Sequence, residues 1–172
     1  MGKEQFVAVA LLLGLLGIAV VSDLRHHRIP NLLVLLGFFL GLSCQAYSSG
    51  LIGLGHALLG SLIGFAFFLP LYALGGMAAG DVKLMAMVGT FLTPYNALWA
   101  AFFSLICGGV CGVLVVLLSG QTKQTVGRYW LMWRARAYFS PAADEVAGKP
   151  FAYSVAVLLG TLTSLYWLPL GR

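Results

Sequence analysis

Acidic side chains are almost missing from this sequence: there are five Asp and Glu in 172 residues, and charged residues of both signs make up only 9%. A soluble domain carries roughly 25% charged residues, which keep its surface in water. With 60% hydrophobic residues and a mean hydropathy of +0.96, a water-soluble fold is excluded. Strict apolar–polar alternation is also lacking, which excludes a transmembrane barrel. Backbone polar groups in hydrocarbon must then be paired within helices, so the fold class is an all-α, polytopic membrane protein. Cysteine is scarce as well. Cys44, Cys107 and Cys111 lie inside apolar runs without C-x-x-C spacing, which argues against a disulfide framework or a zinc site and leaves them as small packing residues. A secretory leader would carry its basic flank ahead of the first apolar run. Here the cluster RHHR follows that run, so the opening segment reads as a retained span.

What the sequence does contain is apolar runs, near residues 5–22, 31–47, 51–74, 82–93, 95–118 and 151–169, making about six transmembrane helices in one integral-membrane domain over 1–172. A full span needs about 20 apolar residues, so the fourth run predicts a tilted or partly re-entrant helix. The breakers agree with these limits: Pro30 opens the second run, SSG at 48–50 separates it from the third, and Thr93-Pro94 separates the fourth from the fifth.

Arg25, Arg28, Lys83, Lys123, Arg128, Arg134, Arg136 and Lys149 fall in the connections after runs one, three and five, while Lys3 and Arg172 fall on the other side. The positive-inside rule puts those connections in the cytoplasm and both termini outside it. The net charge of +5 is therefore a record of topology that faces anionic lipid headgroups, not a nucleic-acid signal. Small residues four apart, Gly37 and Gly41, Gly60 and Gly64, and Gly108 and Gly112, predict close helix packing. The polar segment 119–149 mixes Tyr129, Trp130, Trp133 and Tyr138 with Arg128, Arg134 and Arg136, as a helix lying in the cytoplasmic headgroup layer would. His56 reads as a packing histidine, and His26 and His27 as orientation signals beside Arg25 and Arg28.

Glu4 lies near the outer end of the first run, and Asp144 and Glu145 lie in the polar segment, so only Asp23 and Asp81 touch apolar segments next to the cytoplasmic connections. A single Asp there can simply end a helix at the headgroups. Two on one face suggest a pair, because a charge in hydrocarbon costs roughly 2.5–3.5 kcal/mol and tends to carry function. Neighbouring carboxylates share a proton and so supply one base and one acid, the chemistry of aspartic peptide hydrolysis. Gly75, Gly76 and Gly80 just ahead of Asp81 form either an ordinary interhelix loop or an open backbone against which an extended substrate could lie. A phosphate loop is not indicated, since no G-K-[ST] follows a strand. Lys83, two residues from Asp81, is not on the same helix face and reads as a side chain that snorkels to the headgroups, the sharper alternative being that it lowers the pKa of the pair.

The stretches SDLRHHRIPN (22–31), GGMAAGDVKLMA (75–86) and KPFAYSVAVLLG (149–160) together resemble the three signature regions of type IV prepilin peptidases, the GxGD intramembrane aspartic proteases, and most nearly the small branch that serves Tad/Flp pili. The resemblance implies that Asp23 and Asp81 are the catalytic aspartates, that Lys83 matches the lysine of the family's GDVKL run, and that Pro150 and Phe151 match its Pro-aromatic run before the last helix. One position departs: the first glycine of G-x-G-D is Ala78, which packs as closely but resists positive φ. The implied activity is cleavage of the leader from a prepilin or pseudopilin at the cytoplasmic face of the bacterial inner membrane, with no metal, no cofactor and no nucleic acid. Only LRHHRI separates Asp23 from Pro30, too little chain for the extra cytoplasmic domain of the larger relatives, so no methyltransferase activity is expected. Two other classes compete: a small ion-coupled transporter or channel using the Asp pair, and a non-enzymatic pilus or secretion assembly factor.

Overall fold

A computed structural model of the chain describes residues 3–120, 126–127, 130–132, 134, 136 and 152–167. The chain forms two compact units, Met1–Gly108 with Ala152–Arg172, and Gly109–Phe151. Five helices carry the described architecture: α1 (Lys3–His26), α2 (Asn31–Ala73), α3 (Ala79–Phe91), α4 (Pro94–Leu118) and α5 (Tyr153–Trp167). All six apolar runs are helical, because the second and third are the two halves of α2.

These halves meet at Gly50, whose φ of 58° and ψ of −137° interrupt the helix. Such a φ favours glycine, and one residue suffices to turn the chain. Ser48 and Ser49 were expected in a loop but stay helical; the Ser48 hydroxyl donates to the Gln45 carbonyl at 3.2 Å and so needs no helix break. The halves run in opposite directions along α3. Gly37 and Gly41 face Met87 and Thr90, whereas Gly60 and Gly64 face Gly89 and Met85. Four of the six paired glycines thus line the seat of one helix. Gly108 faces the Tyr153 ring, and a Cβ at Gly112 would meet no described atom within 4 Å.

Apolar around most of its circumference, α3 buries nine of its 13 residues, among them Leu84, Met85, Met87 and Val88. A helix of that pattern belongs inside a core. At about 1.5 Å per residue it is too short to cross roughly 30 Å of hydrocarbon alone. The short fourth run is the centre of the bundle, packed against α1, α2 and α5. α4 and α5 run antiparallel: the Ser164 hydroxyl donates to the Asn96 carbonyl, the Ser104 hydroxyl to the Val157 carbonyl, and the Tyr153 hydroxyl to the Ser104 carbonyl, each at 3.4 Å.

The outside is apolar too. Ile18, Leu36, Phe39, Leu62 and Val113 are each more than half exposed, and α1, α2 and α4 are long and apolar enough to cross a bilayer. This is a membrane protein, with large apolar side chains facing outward and glycines where its helices approach most closely. His56 is exposed on α2 and not packed as the sequence suggested. Its one-sided apolar neighbourhood in sequence did not reveal which helix face it occupies.

Candidate active site

The end of α1 and the starts of α2, α3 and α5 come together at one end of the first unit. The Lys83 ammonium donates to Asn31 Oδ1 at 3.1 Å, Gly80 faces Ile29, and Ser154 binds Asp23. Both aspartates singled out from the sequence are here, and both are buried, Asp23 at 7% and Asp81 at 4% relative exposure. Asp81 lies within direct electrostatic range of the Asp23 carboxyl.

Asp23 occupies the last turn of α1. The helix stops just beyond it at His27, which has a φ of 49° and donates its N–H to the Asp23 carbonyl at 2.8 Å. Asp23 Oδ2 accepts the Ser154 hydroxyl at 2.6 Å and the Ser154 N–H at 3.3 Å. Ser154 belongs to the first turn of α5, so Asp23 satisfies a helix-start N–H that α5 itself cannot pair. A hydrogen bond to a charged group contributes about 1.5–3 kcal/mol. The unfavourable position of an anion at the C-terminus of α1 costs about 0.3–1 kcal/mol. The Ser154 bond is therefore the larger of these two effects at Asp23.

Asp81 sits in the first turn of α3. Its Oδ2 accepts the Ala78 N–H at 3.2 Å, and its own N–H donates to the Ala78 carbonyl at 3.1 Å. Ala78 has a φ of −82°, so replacing the motif's first glycine introduces no strain. The residue that needs positive φ is Gly75, at 75°. Gly75 and Gly76 donate to the Tyr72 and Leu71 carbonyls at 2.9 and 2.8 Å, the paired bonds that close a helix C-terminus with a left-handed residue. Gly80 is already inside α3. The glycines therefore stop α2 and seat α3, leaving only residues 74–78 unwound, a shorter open backbone than their number in the sequence implies.

Lys83 is exposed, and its ammonium is bound to Asn31. Pro150 and Phe151 lie outside the described residues, as does most of the 119–149 segment. Among the described residues no cluster of three or more His, Cys, Asp or Glu could hold a metal ion. Ser154 is the residue the sequence reading missed. It lies 131 positions from Asp23, inside the third signature stretch but not singled out there, and only the fold brings the two together.

An all-α membrane bundle that seats two buried carboxylates at one end defines the class of intramembrane proteins with a candidate acid–base dyad. Residues 10–113 match the type IV leader peptidase family, and the chain belongs to that family. It is 35% identical over 124 residues to the prepilin leader peptidase/N-methyltransferase of Bacillus subtilis (strain 168), an alignment covering 70% of this chain and 49% of that protein. To the prepilin leader peptidase/N-methyltransferase of Myxococcus xanthus (strain DK1622) it is 30% identical over 124 residues, covering 68% of this chain and 37% of that protein. The chain thus spans half or less of the length of these curated relatives. No solved structure matches it.

Proposed function

We propose that this protein is an aspartic endopeptidase that cleaves the leader from type IV prepilins or pseudopilins of the Tad/Flp kind, with Asp23 and Asp81 as its catalytic pair. The observation that carries this reading is the meeting of two buried carboxylates at the bundle end where α1 stops and α3 starts. Two carboxylates in one buried place hold a single proton between them. The ionised one takes a proton from a water whose oxygen attacks the scissile carbonyl carbon. The protonated one hydrogen-bonds the carbonyl oxygen, and the amine then leaves with a proton from the pair as the C–N bond breaks. The site lies at the cytoplasmic face of the inner membrane with both termini periplasmic, the orientation that the Lys and Arg distribution favours. Pro150 and Phe151, just before α5, would border the substrate as the family resemblance implies.

Purified protein reconstituted with a prepilin bearing a short basic leader should yield one mature fragment, cut after the glycine that joins leader and apolar helix. Failure of intact protein to cleave any such substrate would refute the reading. With S-adenosylmethionine present, mass spectrometry should show an unmodified mature amine. The connection between α1 and α2 is only residues 27–30, which leaves no room there for a domain to bind a methyl donor. A reproducible methyl increment would show a second activity.

Orientation can be read independently. In a variant whose own three cysteines are replaced by alanine, a cysteine at Ser49 or Tyr95 should react with an impermeant reagent from the periplasmic side, and one at His27 should not. The reverse pattern would place both aspartates at the wrong face.

A further inference from the structure

From the contacts of Ser154 we infer that it is a positioning residue which makes Asp23 the base of the pair and leaves the shared proton on Asp81; this rests on the proposed peptidase reading. The two carboxylates are not equivalently held. Asp23 accepts two donors from one residue, a hydroxyl at 2.6 Å and a backbone N–H at 3.3 Å. Asp81 accepts the Ala78 N–H at 3.2 Å. Each stands at a helix start, α5 for Asp23 and α3 for Asp81; Asp23 also stands at the end of α1, an unfavourable place for an anion that costs less than the hydroxyl contributes. The hydroxyl is the difference, and donors to a carboxylate favour its ionised form. Ser154 is itself fully buried, so its hydroxyl meets no competing bulk water. Both donors fall on Oδ2, which leaves Oδ1 as the oxygen able to take a proton from the attacking water.

Among the described residues, the titratable groups around Asp23 are few. α3 contributes Asp81, while Lys83 on the same helix is turned to Asn31. α5 contributes Tyr153, whose hydroxyl is turned to the Ser104 carbonyl. α1 and the turn after it contribute Arg25, His26, His27 and Arg28, all exposed, and α2 begins with the neutral Asn31. All of these stay in place when the Ser154 hydroxyl alone is removed.

Ser154→Ala should lower kcat about tenfold with KM little changed, as expected for the loss of one charge-assisted bond. The acidic limb of the kcat/KM profile should move up by about one pH unit, because the base then ionises only at higher pH. Ser154→Thr keeps both donors and should restore rate and profile. A Ser154→Ala enzyme with an unmoved acidic limb would overturn the inference, whether its rate is normal or falls with its folded fraction. Movement of the alkaline limb instead would make Asp23 the acid and also overturn it. Isotope-edited infrared titration of the Asp carboxyl bands, assigned with Asp23→Asn, reads the same effect without substrate. If the wild type cleaves no prepilin but Ser154→Ala still raises the pH at which Asp23 ionises, the peptidase reading fails and the hold of Ser154 on Asp23 stands. An unchanged band in that titration overturns the inference on its own.

Discussion

Asp23→Asn and Asp81→Asn should each insert and fold like the wild type yet cleave a prepilin about 10³-fold more slowly or worse, within the 10²–10⁴ that positioned acid–base groups supply. Asn keeps the shape of Asp. At position 23 its amide oxygen can still accept both Ser154 donors, and at 81 it can still accept the Ala78 N–H, so the starts of α5 and α3 remain satisfied. What Asn cannot do is take a proton from water or pass one to a leaving amine. Quantitative cleavage in vesicles, with circular dichroism to verify folding, measures the effect. Near-wild-type turnover by either variant would remove that residue from the chemistry, and the dyad with it.

The second large effect is on stability. Gly60 and Gly89 bring the backbones of α2 and α3 into direct contact: a Cβ at Gly89 would collide with the backbone of Gly60 and Ser61, and one at Gly60 with the carbonyls of Gly89 and Leu92. Backbone cannot swing aside as a flexible side chain can. Gly89→Ala is therefore expected to cost about 3 kcal/mol, the upper end of core overpacking, although alanine is the better helix former by about 1 kcal/mol. Gly14→Ala and Gly55→Ala, whose added methyl would meet nothing within 4 Å, should hold or raise stability. Thermal unfolding in detergent distinguishes the three variants. An unchanged Tm for Gly89→Ala would mean that α3 is not clamped at this contact. Because α3 carries Asp81, loss of the clamp should also lower activity.

Composition alone determined that this chain is helical and lies in a membrane, since 60% apolar residues without alternation have no other stable solution in lipid. The breakers marked the helix limits because Pro30, Gly50 and Pro94 act through local φ restrictions that are the same in any fold. Scarcity made Asp23 and Asp81 legible: in a chain with five acids, two beside apolar runs stand out, and the motifs around them were enough to point to the family. The family model and the relatives agree with that resemblance. The central place of α3 was not legible, because a short apolar run looks alike whether it is tilted, re-entrant or enclosed, and only the glycine contacts of both α2 halves decide. Nor was the conformation of Ala78, where a rule about positive φ could be written but the φ itself depends on how α2 stops at Gly75. Ser154 lay furthest from view. A hydrogen bond across 131 residues has no sequence period, and its role exists only because the start of α5 is brought to the end of α1.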